Sequence, residues 1–183
     1  NRTFVKKGLK KIYAGERPGL RALISESGIP RTELVNTEYI GFRLAPRLNA
    51  AGRLDSALMA WKLLTTQDEH EAKVLAARLN ALNSERQMKT EEAYQIAIAE
   101  ISTFCDEPVL FTYNEQFHEG IVGLVASKLT EEYHRPAIVG TAHQGLIRAS
   151  CRSVEEFNIT SALDRCADLL VQYGGHSMAA GLT

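Results

Sequence analysis

The chain has 183 residues, 45% of them hydrophobic and 23% charged, enough to bury a core in one or two domains. Twenty-one Lys plus Arg against 22 Asp plus Glu leave a net charge of -1, which excludes a wholly basic nucleic-acid coat but not a local anion site. The longest apolar stretch, residues 121–126, is far below the roughly 18 residues of a membrane span. Cys105, Cys151 and Cys166 lack CxxC spacing, which argues against both a zinc ribbon and a disulfide framework and sets the expectation of a reducing, cytoplasmic compartment. A first residue that is Asn1, with no signal-like segment after it, leads us to expect part of a longer protein.

From residue 2 to 13 the apolar Phe4, Val5, Leu9, Ile12 and Tyr13 share a helical face, and Lys6, Lys7, Lys10 and Lys11 stack on the other, a solvated face. Gly15 stops this helix. Pro18 opens the next, with Leu20, Leu23 and Ile24 inward, and Gly28-Ile29-Pro30 closes it. The stretch GFRLAPRLNAAGRLD, residues 41–55, mixes arginines and an asparagine with leucines and small residues and fits neither a clean helix nor a clean strand. Ser56 can cap a helix that carries Trp61, which is expected in the core.

Asp68 followed three residues later by Glu71 reads as a capping box. With no Pro or Gly over 68–102, one helix of roughly 50 Å can follow at about 1.5 Å per residue. Leu75, Leu79 and Leu82 give it one apolar end and Ala93, Ile96, Ala97 and Ile101 another, with a polar middle, as in a helix bridging two packed bodies. Two helices joined near Asn83 would also satisfy the pattern.

After Pro108 the period changes to β-α-β: a strand over 109–113, an amphipathic helix over 121–133 and an apolar strand over 137–141. A turn at His143-Gln144-Gly145 leads to a strand over 146–150, and a helix over 160–173 is expected to end at Gly174-Gly175. The fold class is therefore α/β: an α-helical segment and a long connector helix, followed by a small mixed-sheet α/β domain. The boundaries are 1–67, 68–102 and 103–183.

Three groups could carry chemistry. Ser150, Arg152 and Ser153, read as a strand-to-helix loop, combine hydroxyls with a guanidinium that matches an oxyanion, or else make a turn and meet solvent. Gly174, Gly175 and His176 allow close backbone approach beside an imidazole, or form an ordinary helix stop. Arg43, Arg47, Asn49 and Arg53 suit phosphate, or pair with Glu38 and Asp55. His118-Glu119-Gly120 reads as the start of a helix, with Glu119 favoured by the first turn. HExxH, a nucleophile elbow, and Walker and Rossmann loops are all absent from the sequence.

Taken in order, GFRLAPRLNAAGRLD (41–55), FHEGIVGLVASKL (117–129), ASCRS (149–153) and GGHSMAAG (174–181) resemble the RecJ exonucleases of the DHH phosphoesterase superfamily. The resemblance covers nearly the whole chain. It implies that residues 1–67 are the end of a DHH catalytic domain, 68–102 the connector, and 103–183 a DHH-associated substrate-binding domain truncated at its C-terminus. It implies 5'-to-3' degradation of single-stranded DNA with Mn²⁺ or Mg²⁺ in the parent enzyme. The metal ligands lie in motifs that this chain lacks, so the chain alone should hold no metal and hydrolyse nothing. Ser150 and Arg152 match the family's phosphate loop, with Ala149 where a glycine is usual; His176 should face the same cleft. Arg47, Asn49 and Arg53 match a substrate-contacting motif, with Ala45 where many relatives have glycine.

Implied partners are single-stranded DNA and the missing N-terminal part of the DHH domain, whose absence makes self-association an expectation. No membrane partner is expected. Alternatives are a DHH phosphoesterase acting on short oligonucleotides, nucleoside bisphosphates or cyclic dinucleotides, and a non-catalytic phosphate-binding or assembly module.

Overall fold

The computed structural model describes residues 1–30, 35–101, 107–143 and 145–183, of which His143 is described by its backbone alone. Cys105, Gln144, and residues 102 and 103, where the sequence placed the end of the connector and the start of the last domain, lie outside them. Two compact units divide within one helix: Asn1–Arg86 and Gln87–Thr183.

The first unit is helical. Its elements are α1 (Arg2–Ala14), α2 (Pro18–Glu26), the single turn α3 (Thr37–Tyr39), a π turn (Ile40–Leu44), α4 (Ala45–Leu54), α5 (Leu58–Thr65) and the first part of α6 (Glu69–Ile101). Gly15 ends α1 in the left-handed conformation at φ 67°, and Pro18 starts α2, where a missing N–H costs nothing. Leu23, Leu44, Ala50, Ala51, Leu63, Ala76 and Leu79 form the core. Gly19 lets α2 approach α5 so closely that a Cβ there would overlap the Leu63 carbonyl.

Two sequence expectations are corrected in this unit. Residues 41–55 are helical through Leu54, because Pro46 falls in the first turn of α4 and Leu44, Ala50 and Ala51 are buried. Trp61 is 64% exposed, since Leu63 takes the buried position of α5.

The expected long helix is a single one, and Asp68 caps it: the Glu71 amide donates to Asp68 Oδ1 at 2.7 Å. The Glu71 carboxylate does not return to the Asp68 amide. It accepts from Thr66 Oγ1, which in turn accepts from the Asp68 N–H at 3.2 Å.

The second unit holds the rest of α6, then β1 (Leu110–Tyr113), α7 (Glu119–Tyr133), β2 (Ala137–His143), β3 (Leu146–Arg152), α8 (Ile159–Asp164), a 3-10 turn (Ala167–Leu169), β4 (Tyr173–His176) and β5 (Ala179–Leu182). The strands form a five-stranded mixed sheet in the order β1-β2-β3-β5-β4, with only β1 and β2 parallel, as a β-α-β crossover requires. Helix α7 packs on β2 and β3 through Ile121, Val122, Val125, Ala126 and Leu129. The later part of α6 is latched to α7: Tyr94 donates to Glu132, Lys128 pairs with Glu91 at 2.7 Å, and the Lys128 ammonium lies 3.7 Å from the Tyr94 ring centroid.

The expected helix over 160–173 is only α8. Six residues suffice to bury Ile159 and Leu163 against Cys151 and Ala180, whereas Leu169 and Val171 remain exposed and offer no core face to prolong it. Gly174 and Gly175 are therefore not a helix stop but part of β4. At Gly175 a Cβ would overlap Ala179 and Ala180 of β5, so the close approach of these two strands requires glycine.

Candidate phosphate site

Strand β3 carries the first group of candidates. The expected loop at 149–153 is strand through Arg152, paired with β2 and β5 on its two sides. Alternation puts Arg148, Ser150 and Arg152 on one face, and Ala149 and Cys151 on the other. Cys151 is fully buried with Ile159, Leu163 and Ala180, and burial pushes its thiol up to about 11, while the neighbouring Arg152 charge opposes the shift.

Opposite Ser150 and Arg152 stands Gly123 of α7. A Cβ built on it would lie 3.1 Å from Arg152 Nη2 and 3.3 Å from Ser150 Oγ, so both polar groups meet the same point of the helix. Arg152 Nη1 donates to the Cys151 carbonyl at 2.8 Å, which folds the guanidinium along the strand. Among the described ion pairs, none engages Arg152. The site thus presents a hydroxyl and a half-buried cation that, among the described residues, is paired with no carboxylate.

Across the sheet, Ser150 is in register with Gly181 and then Gly174, and Arg152 with Ala179 and then His176. The glycines leave an open floor, a cleft of about 540 Å³ lined by Ser150, Gly174, Gly181, Arg148, Glu119 and Val122, among others. His176 is exposed one row over and its carbonyl accepts from Thr160 Oγ1 at 2.8 Å. Two strand spacings of about 4.8 Å separate it from Arg152, so the pair shares a face but not a hydrogen bond. Ser153 is placed differently: it is buried, and its hydroxyl donates to the Phe157 carbonyl at 2.6 Å, closing the turn before α8. Arg148 and Glu119 were not linked to this site by sequence; the i-2 position of Arg148 relative to Ser150 was the available signal.

His118 acts as the cap of α7, with Nδ1 accepting from the Gly120 amide at 3.0 Å. Glu119 occupies the first turn, as its charge suggested, and also faces Arg148.

In the first unit, α4 splits its candidates. Arg47 donates through Nε to Asn80 Oδ1 at 2.8 Å and through Nη1 to the Arg43 carbonyl at 2.7 Å; burial and then the Arg43 charge lower its pKa. Asn49 and Arg53, one helical turn apart, share a different side of α4, where Asn49 is exposed. Arg53 comes near enough to Arg86 of α6 to lower the latter's pKa, after the larger effect of burial.

No group of three or more His, Cys, Asp or Glu able to hold a metal ion occurs among the described residues. The donor set of the described residues does not fit a divalent metal centre.

Residues 106–183 match the family model for the DHHA1 domain. The whole chain is 40% identical to the single-stranded-DNA-specific exonuclease RecJ of Bacillus subtilis, covering 24% of that protein. Its structure matches crystal structures of RecJ from Thermus thermophilus in complex with Mg²⁺ (TM-score 0.87, 34% identity, 28% of that chain) and with Mn²⁺ (TM-score 0.86, 36% identity, 27% of that chain), each over 100% of this chain. The chain spans about a quarter of the length of these relatives. Residues 106–183 thus resemble the DHHA1 domain, within a chain that is similar along its whole length to a part of RecJ.

Proposed function

We propose that the chain is the phosphate- and DNA-binding part of a 5'-to-3' single-stranded-DNA exonuclease of the RecJ type. The observation that carries this reading is the convergence of Ser150 Oγ and Arg152 Nη2 on Gly123, at the edge of an open, glycine-floored cleft. A terminal phosphate held there accepts from a planar cation and a hydroxyl, which fixes the end of the strand before hydrolysis. Gly174 keeps the cleft open, Gly175 keeps β4 against β5, and His176 adds a donor at the outer rim. In the first unit, Asn49 and Arg53 contact the DNA backbone, while Arg47 positions α4 through Asn80. Ser153 shapes the loop after the phosphate strand rather than touching the ligand.

In this account residues 1–67 complete a DHH catalytic domain, 68–102 connect it, and 103–183 bind substrate. The remainder of the DHH domain is the partner that supplies the Mn²⁺ or Mg²⁺ chemistry, in the cytoplasm. The 183-residue chain alone binds short single strands and cleaves nothing. Incubating it with labelled 5'-phosphorylated oligonucleotide and Mn²⁺ tests this: intact DNA is the expected result. Metal-dependent degradation that disappears in Arg152→Ala would overturn the division of labour.

A further inference from the structure

Arg148 stands two residues before Ser150 on the same face of β3, about 6.5 Å along the strand, and lines the same cleft. Its Nη1 lies 3.2 Å and 3.4 Å from the two carboxylate oxygens of Glu119. Both side chains are open to solvent, 59% and 61% exposed, so the pair is screened and easily exchanged. Glu119 lies in the first turn of α7, where the helix field and water stabilise its carboxylate without Arg148. Between the arginine and the glycine floor there is room: a Cβ on Gly174 would meet nothing within 4 Å.

We propose that Arg148 binds the second phosphate of the strand, the phosphodiester that follows the terminal phosphate held by Ser150 and Arg152, and that Glu119 is its competitor in the unliganded cleft. This rests on the reading of Ser150 and Arg152 given above. A polynucleotide end displaces the Glu119 carboxylate from Arg148 and gains a charge-assisted contact; a mononucleotide, which has no second phosphate, leaves the ion pair in place. The cleft thereby distinguishes a strand end from a nucleoside monophosphate. Arg148 and Glu119 have opposite effects on binding, which a merely structural salt bridge would not produce.

The test compares thymidine 5'-monophosphate with 5'-phosphorylated dithymidylate and longer strands, by calorimetry or competition, with folding of each variant checked by circular dichroism. Arg148→Ala should leave monophosphate affinity within about twofold, remove most of the extra affinity of the dinucleotide, and reduce the salt slope of oligonucleotide binding by about 0.7. Glu119→Gln should tighten dinucleotide binding about three- to tenfold. Arg148→Lys should restore part of the loss as a point charge. Equal losses for both ligands in Arg148→Ala, no loss for either, or weaker dinucleotide binding in Glu119→Gln would overturn the proposal. If monophosphate binding depends on Arg152 while Arg148→Ala has no effect, Arg148 alone is misassigned. If the folded wild-type chain binds neither ligand, the reading of Ser150 and Arg152 fails and this proposal with it.

Discussion

Gly123 of α7 and Arg152 of β3 form a matched pair: the guanidinium occupies the space that a side chain on residue 123 would need, with Nη2 3.1 Å from the position of a Cβ. Gly123→Ala should therefore separate stability from binding. Replacing a helical glycine gains roughly 0.5–1 kcal/mol of helix propensity, and Arg152 and Ser150 can yield by small rotations. Thermal melting should show an unchanged or higher midpoint, while affinity for a 5'-phosphorylated oligonucleotide falls about tenfold, or about 1.4 kcal/mol. Unchanged affinity in a well-folded variant would show that the space beside Gly123 has no bearing on the ligand.

Two other glycines should behave in the opposite way, because the atoms a methyl group would meet are backbone or tightly packed. Gly19→Ala forces α2 away from the Leu63 carbonyl, and Gly175→Ala forces β4 away from Ala179 and Ala180. Each should cost about 3 kcal/mol, the upper end of ordinary overpacking penalties. Hydrogen exchange should place the loss for Gly19→Ala in residues 1–86 and that for Gly175→Ala in residues 87–183.

The start of α6 depends on Asp68. Asp68→Ala removes the acceptor of the Glu71 amide and should cost about 1 kcal/mol, while Asp68→Ser should restore most of it. Hydrogen bonds from Lys62 and from Thr66 lower the Glu71 pKa below its ordinary 4.5. A depressed carboxylate contributes stability above its unfolded value and loses it as pH falls through the folded one. Melting curves taken downward from about pH 5 should therefore show a weakened α6 start, and Glu71→Gln should flatten that dependence.

Cys151 and Cys166 should differ sharply toward alkylating reagents. Cys166 is exposed, whereas burial raises the Cys151 thiol from 9.0 to about 11 and seals it beneath α8. Peptide mapping after iodoacetamide at about pH 8 should find Cys166 modified and Cys151 protected until the chain unfolds. Because the folded pKa is raised, the contribution of the neutral thiol is fully present below about 9 and is lost as pH rises toward about 11, since the unfolded chain ionises first and the folded one resists. Its burial therefore works against stability across that window, and Cys151→Ala should lessen the alkaline loss.

Periodicity located α1, α6, α7 and the β-α-β crossover: α6 and α7 each bury a continuous stripe and β1 an alternating face, whereas α1 is an amphipathic helix with no buried residue. It failed where packing overrode it. Leu169 and Val171 continue a helical rhythm yet have no core to meet, so α8 stops at Asp164 and the glycines enter a strand. Trp61 looked internal by residue type, but Leu63 fills the buried position beside it. For the site, residue types pointed to Ser150 and Arg152, while their common face, the role of Gly123 and the Arg148–Glu119 contact required the sheet register and the seat of α7. Ser153 shows the limit most plainly: chemically it matches Ser150, but strand alternation turns it into the interior, where the Phe157 carbonyl accepts its hydrogen bond.

The most direct test of the central claim is a titration of 5'-phosphorylated against 5'-hydroxyl single-stranded oligonucleotides, with the wild-type chain and with Arg152→Ala, at low and moderate salt. The account predicts a preference for the 5'-phosphate in the wild-type chain that disappears in Arg152→Ala, with the fold intact. Equal binding of the two oligonucleotides by the folded wild-type chain, or a preference that survives the substitution, would contradict the assignment of a terminal-phosphate site to Ser150 and Arg152.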